Sequence, residues 1–155
     1  VNESVSIQTP NQNDRIMAAL SHVTALLPLM GIIGPIVIWA TQKDKSEFVA
    51  FQALQAIVYQ LTMILAWFIG MGCYMISFFG MFLTIPFAES SAPTVPGEMI
   101  GFFIPFITMG AIFLGGAFFV IYGVIAAIMT VQGKDFRYAI IGKQLERFMQ
   151  KQYNE

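Results

Sequence analysis

Leu61-Thr-Met-Ile-Leu-Ala-Trp-Phe-Ile-Gly70, continued by Met71-Gly-Cys-Tyr-Met-Ile-Ser-Phe-Phe-Gly80, contains no Asp, Glu, Lys or Arg, and the uncharged run around it extends from Phe48 to Ala88. A helix needs roughly 20 apolar residues to cross the hydrocarbon core of a bilayer. Two further runs, Ile16 to Thr41 and Met99 to Gly133, are also free of these four residue types. Apolar residues make up 57% of the chain and charged residues 11%, against about 25% charged in soluble proteins. A water-soluble fold of this size lacks the charge to cover its own surface. The sequence therefore predicts an all-α, polytopic membrane helical bundle. Its expected parts are a kinked or re-entrant N-terminal helical hairpin, two long transmembrane helices and a C-terminal amphipathic surface helix.

The segments follow from where charge stops and starts. Residues 1–14 read as a mobile polar tail and 15–133 as the membrane domain, with a hairpin or kinked span at 16–41 and helices at 48–88 and 99–133. Residues 134–155 read as an amphipathic cytoplasmic tail. The first run is not expected to be a cleaved signal peptide, since no Lys or Arg precedes it in Val1 to Asn13 and it exceeds the roughly 7 to 15 residues of a signal core. Pro28, Gly31, Gly34 and Pro35 interrupt its middle. From Asp14 to Gly31 a helix reaches only about 25 Å, short of the ~30 Å core. One kinked span and two short helices folded back at Leu29 to Gly34 both remain open at this point, with a lean to the hairpin.

All 8 basic residues lie in three places: Arg15; Lys43 and Lys45; and Lys134, Arg137, Lys143, Arg147 and Lys151. The segment Glu89 to Glu98 between the second and third runs has acids and prolines but no base. The positive-inside tendency puts the Lys43 loop and the C-terminal tail on the cytoplasmic side of the membrane, with the Glu89 loop on the other. Trp39 beside Lys43 reads as an interface anchor.

The polar residues inside the runs are few and patterned. Gln52, Gln55, Tyr59 and Thr62 recur at helical spacing and share one face of the second helix. His22 is the only His, Asp, Glu, Lys or Arg within the runs, and it is expected to hydrogen-bond to that stripe if the first run packs on the second. In the third run Gly101, Thr108 and Gly115 recur every seven residues, as do Gly116, Gly123 and Thr130, with Ala127 beside them. Small residues let helix backbones approach in lipid, so Gly116 and Gly123 mark an expected packing seam. Beyond Gly133, Tyr138, Ile141, Leu145, Phe148 and Gln152 form a mainly apolar helical stripe. Arg137, Lys143, Arg147 and Lys151 are candidate contacts to anionic headgroups.

The sequence offers little chemistry. Ser21 and His22 are adjacent, so on a helix their side chains diverge and cannot form a nucleophile and base pair. One His and one Cys, Cys73, fall short of a metal site, and the acids lie in loops. The expectation is a protein that is not an enzyme, with no cofactor, no metal and no nucleic acid. Its partners would be the lipid bilayer and other membrane protein subunits, and its role accessory or scaffolding. Protein translocation or insertion and a small-solute channel are the alternatives.

The order Arg15-Ile-Met-Ala-Ala-Leu-Ser-His22, Gly31-Ile-Ile-Gly-Pro-Ile-Val-Ile-Trp39, Lys43-Asp-Lys-Ser-Glu-Phe48 and Phe51-Gln-Ala-Leu-Gln-Ala56, closed by Phe136-Arg-Tyr138 and Ile141-Gly142, resembles the Tic-twenty-like membrane proteins. These comprise a chloroplast inner-envelope import component and small bacterial relatives. The resemblance implies about four hydrophobic helices and no catalytic residues, and it is the source of the translocation alternative.

Overall fold

The computed structural model describes residues 10–27, 30–88, 96–139, 141–145 and 147, with the side chains of all but 84–88 and 96–100. Among the described residues the regular structure is helical: α1 (Gln12–Val23), a 3-10 turn (Thr24–Leu26), α2 (Ile33–Gln42), α3 (Glu47–Ala88) and α4 (Pro96–Val131). Two compact units emerge, one formed by Val1–Leu61 with Val120–Glu155 and the other by Thr62–Phe119. Both long helices contribute to both units.

α1 begins earlier than the sequence boundary at 14/15 suggested. Asn11 caps it, accepting from the Asp14 amide while the Asp14 carboxylate accepts from the Asn11 amide, which satisfies donors that a helix start otherwise leaves bare. The run 16–41 is two helices and not one kinked span. α1 and α2 are 12 and 10 residues long, about 18 and 15 Å, and they pack on each other across the intervening turn. A Cβ on Gly31 would lie 2.0 Å from the Thr24 carbonyl oxygen, and one on Gly34 2.5 Å from the Thr24 methyl. These glycines let the second arm close onto the first.

α3 and α4, of 42 and 36 residues, are long and apolar enough to cross a membrane. α3 runs unbroken through Gly70, Gly72 and Gly80. α4 accommodates Pro105 within its body, at the cost of one backbone bond. It ends in a Schellman motif: the Gly133 amide donates to the Thr130 carbonyl and the Lys134 amide to that of Met129, with Gly133 at φ 77°.

The first unit is apolar outside, and inside it is mostly small or polar apart from the rings of Tyr59, Phe136 and Tyr138. Ala18, Ala19, Ala25, Val49, Ala50, Ala53, Ala56, Ala126 and Ala127 are buried, together with Ser21, His22, Gln52, Gln55, Gln60 and Thr130. Ile16, Leu20, Leu26, Leu27, Met30, Ile33, Val37 and Ile128 point outward. Water would drive the large apolar side chains inward; in lipid no such force sorts them, and small residues are favoured at helix contacts. The second unit has less interior. Gly70 meets Ile112 of α4, where a Cβ would come within 3.1 Å, and an open apolar groove of about 310 Å³ lies beside that contact, lined by Ala66, Trp67, Thr108, Gly115 and Gly116 among others.

Three sequence expectations fall wholly or partly on residues 1–9, 89–95 and 148–155, which lie outside the described residues: the polar N-terminal tail, the acidic Glu89 loop, and Phe148, Lys151 and Gln152 of the tail helix.

Candidate functional site

The site is built on the face of α3 that carries Val49, Gln52, Gln55, Ala56 and Tyr59, a repeat of three and four residues that turns each inward. α1 brings His22 to this face and α4 brings Gly123, Ala126, Ala127 and Thr130. A Cβ on Gly123 would stand 3.2 Å from the Ala25 methyl and 3.8 Å from the His22 carbonyl oxygen and from the Tyr59 ring, so glycine there sets how closely α4 meets α1 and α3.

The chain then supplies its own lid. After Gly133, residues 134–138 leave helical geometry and run across the polar face. Gln55 clamps this segment at two points: its amide Nε2 donates to the Phe136 carbonyl at 3.1 Å, and its Oε1 accepts from the Tyr138 amide at 3.1 Å. Gln52 Nε2 donates to the same Phe136 carbonyl and to Asp135 Oδ1, each at 3.0 Å.

Those bonds fix the proton positions of the rest. Because Gln52 spends its NH2 on two acceptors, its Oε1 is the atom facing His22 Nε2 at 3.1 Å, and Nε2 must carry the proton. His22 Nδ1 is then the acceptor, and the Tyr138 hydroxyl, 3.1 Å away, donates to it. Burial, followed by the neighbouring Tyr59 and Tyr122, pushes the Tyr138 pKa up, which keeps that donor protonated. The Tyr138 ring stacks on Tyr59 at 4.1 Å and 11°, and Phe136 and Tyr122 meet it edge-on at 5.0 and 5.3 Å. Among the described residues no buried side-chain nitrogen or oxygen lacks a partner, as an interior with polar groups requires.

A second, smaller tie holds the turn after α1. Gln60 Nε2 donates to Thr24 Oγ1 at 3.1 Å, and that hydroxyl donates to the Ser21 carbonyl at 2.8 Å. Gln60 takes the place expected for Thr62, which is exposed. It lies eight residues past Gln52, hence on a neighbouring strip of the same helix side, and that offset was the available signal.

His22, Gln52, Gln55, Tyr59 and Gly123 therefore come together in one unit. Gly116 does not join them: it belongs to the other unit, lines its groove, and an added Cβ would find nothing within 4 Å. The seven-residue seam is thus a contact at Gly123 and open space at Gly116. The tail expectation needs correction at Tyr138, which is 2% exposed and part of the lid, not of a surface helix. The reason is that its backbone amide and the Phe136 carbonyl find partners in glutamine side chains. Residues 141–145 are helical, with Gly142 fitted against Arg137 and Gln55. Lys143 and Arg147 are exposed. Arg137 is also exposed, pairs with Asp135 at 2.8 Å and lies over the Phe51 ring at 5.8 Å. Lys43 sits over Trp39 at 5.5 Å. Among the described residues no three His, Cys, Asp or Glu side chains gather as a metal site would require.

No curated protein and no solved structure matches the chain. One family model does match, over residues 13–145, and it describes the magnetosome magnetite crystal formation proteins, MamF and MmsF. This overturns the Tic-twenty-like resemblance. The motifs quoted for it lie wholly inside the matched region, and many of their residues are ones the fold uses: His22, Gly31, Gly34, Gln52, Gln55, Phe136 and Tyr138. Short apolar motifs in a given order reflect a hairpin packed on a polar helix face, which other membrane proteins can share. With polar cluster, glycine contacts and lid all within residues 13–145, the chain belongs to the magnetosome magnetite crystal formation protein family, MamF/MmsF.

Proposed function

We propose that this chain is a non-enzymatic integral membrane protein of the magnetosome that contributes to magnetite crystal formation by packing with other membrane subunits. The observation that carries this reading is the family match across residues 13–145. It is supported by two helices of membrane-crossing length and by large apolar side chains facing outward along both, among them Leu65, Phe68, Ile76, Phe113 and Leu114. It is also supported by a polar cluster whose hydrogen bonds are made within the chain, an arrangement suited to holding a shape in lipid. The basic residues at Lys43, Lys45 and beyond Gly133 support a cytoplasmic position for these segments. The translocation alternative rested on the resemblance now overturned and is dropped.

The test is removal of the chain from a magnetite-forming bacterium and its replacement by the wild type or by Gln52→Leu. Magnetite crystals are sized and counted by electron microscopy, and the protein is followed into isolated magnetosome membranes. Loss of the chain should alter crystal size or number, and the wild type should restore both. Crystals unchanged by its loss, or a protein absent from magnetosome membranes, would overturn the proposal.

A further inference from the structure

Residues 134–139 are joined to the rest of their unit in an unusual way. Among the described residues neither the Phe136 carbonyl nor the Tyr138 amide pairs with a backbone group; both are held by the side-chain amide of Gln55, with Gln52 as a second donor to the carbonyl. Such a clamp lets go when one side chain loses its donor or its acceptor, with no helix to unwind. Gln52 also holds α1. Gln52 grips the 134–139 segment by its NH2 and His22 by its oxygen, and the Tyr138 hydroxyl reaches His22 from the other side. The His22 ring bonds to Tyr138 and Gln52 thus pass through the segment or through a glutamine that the segment orients.

The segment also has a pivot. Gly133, at φ 77°, occupies a backbone conformation that only glycine adopts freely, and a Cβ there would lie 2.8 Å from the Arg15 guanidinium of α1. Motion about this residue would be felt at the start of α1 as well as at its His22 end. Lifting the segment strips Gln55 of the Phe136 carbonyl and the Tyr138 amide and leaves Gln52, Gln55 and His22, none more than 1% exposed, short of hydrogen bonds. Intermediate positions keep that cost without recovering the bonds, so the arrangement is two-state.

We propose that residues 134–139 are a detachable strap: docked on the Gln52 and Gln55 amides they hold α1 against α3 and α4, and released they free α1 together with themselves. The C-terminal segment thereby controls the packing of the N-terminal hairpin. This goes beyond the magnetosome reading and does not depend on it.

The experiment is hydrogen–deuterium exchange read by mass spectrometry on the full chain in detergent micelles, comparing the wild type with Gln55→Glu at neutral and acidic pH. The ionised carboxylate still accepts from Tyr138 but donates nothing to Phe136 and repels its carbonyl; the protonated carboxyl regains one donor and one acceptor. At neutral pH the variant should exchange about tenfold faster than the wild type both in 134–139 and in 12–23. Both segments should return to wild-type protection on acidification, each pH being referred to the wild type at that pH. A strap that opens while 12–23 stays protected overturns the coupling, and no opening overturns the clamp. Opening that acid does not reverse also overturns it, because a general packing fault would behave that way. If the variant fails to fold, Tyr138→Phe removes only the hydroxyl bond to His22. It should speed exchange in 12–23 by about threefold, and unchanged exchange there overturns the coupling.

Discussion

In the unit formed by residues 1–61 and 120–155, the largest fully buried side chains include His22, Gln52, Gln55 and Thr130, and the same interior holds several alanines and the rings of Phe136 and Tyr138. In the unit 62–119, Pro105 is the one buried residue among the described side chains, and Gly72, Gly80, Gly101, Gly110, Gly115 and Gly116 have nothing within 4 Å of where a Cβ would stand. The same two helices run through both regions, so the contrast lies in which residues each stretch of them carries. What differs is the supply of directional contacts. Hydrogen bonds and close glycine contacts select one arrangement in the first region, where hydrophobicity cannot because lipid is as apolar as leucine. Among the described residues of the second region, the close glycine contact is that of Gly70 with Ile112.

Four substitutions would break or sharpen this contrast. The largest effect is expected at Gly31→Ala, whose methyl would meet the backbone oxygens of Thr24 and Leu27 at 2.0 and 2.6 Å. Backbone cannot yield as a side chain does, so a loss of about 3 kcal/mol should appear in detergent unfolding. Next comes Gln52→Leu, which deletes three bonds, to His22, Asp135 and Phe136. At ~0.6 kcal/mol for a membrane hydrogen bond this amounts to about 2 kcal/mol, and a change near zero would mean the cluster is not what orders this unit. Gly133→Ala forces a methyl into the left-handed region and onto Arg15. It should cost about 1 kcal/mol, visible as a lower unfolding midpoint with no change of helix content by circular dichroism. The smallest effect belongs to Gly116→Ala. With open space around it, the substitution should be neutral or stabilise by up to about 0.8 kcal/mol through helix propensity alone. A clear loss there would show that something covers that face in the native membrane.

How much of this could be read from the residues depends on the kind of signal each leaves. Three charge-free runs announce apolar helices directly, and glutamines three residues apart announce a shared face, so His22, Gln52, Gln55 and Tyr59 were legible as a group. The break at Gly31 and Gly34 was legible as a break, but whether it bends one helix or joins two depended on the Thr24 contact. The lid was misread. Phe136 and Tyr138 are two apart, as an extended segment requires, yet Tyr138 also falls in step with Ile141 and Leu145, and the longer helical rhythm masks a period-two signal only one repeat long. Alanine left a faint trace of another kind: its small size, more than its hydropathy, qualifies it for the interior, and a hydropathy pattern does not register size. Gly116 and Gly123 shared a spacing but not a fate, because the helix passes from one unit into the other between them.

The pairing of His22 with Tyr138 spans 116 positions along the chain. At ribosomal speeds of roughly 5 to 20 residues per second, the tyrosine emerges on the order of ten seconds after the histidine. During that interval α1 has its own start signal at Asn11 but its imidazole has no partner at Nδ1. The newborn hairpin must therefore wait in a half-finished state, attended by water, lipid headgroups or the insertion machinery. The timing of synthesis, as much as the energy of the finished fold, decides when this chain acquires an interior.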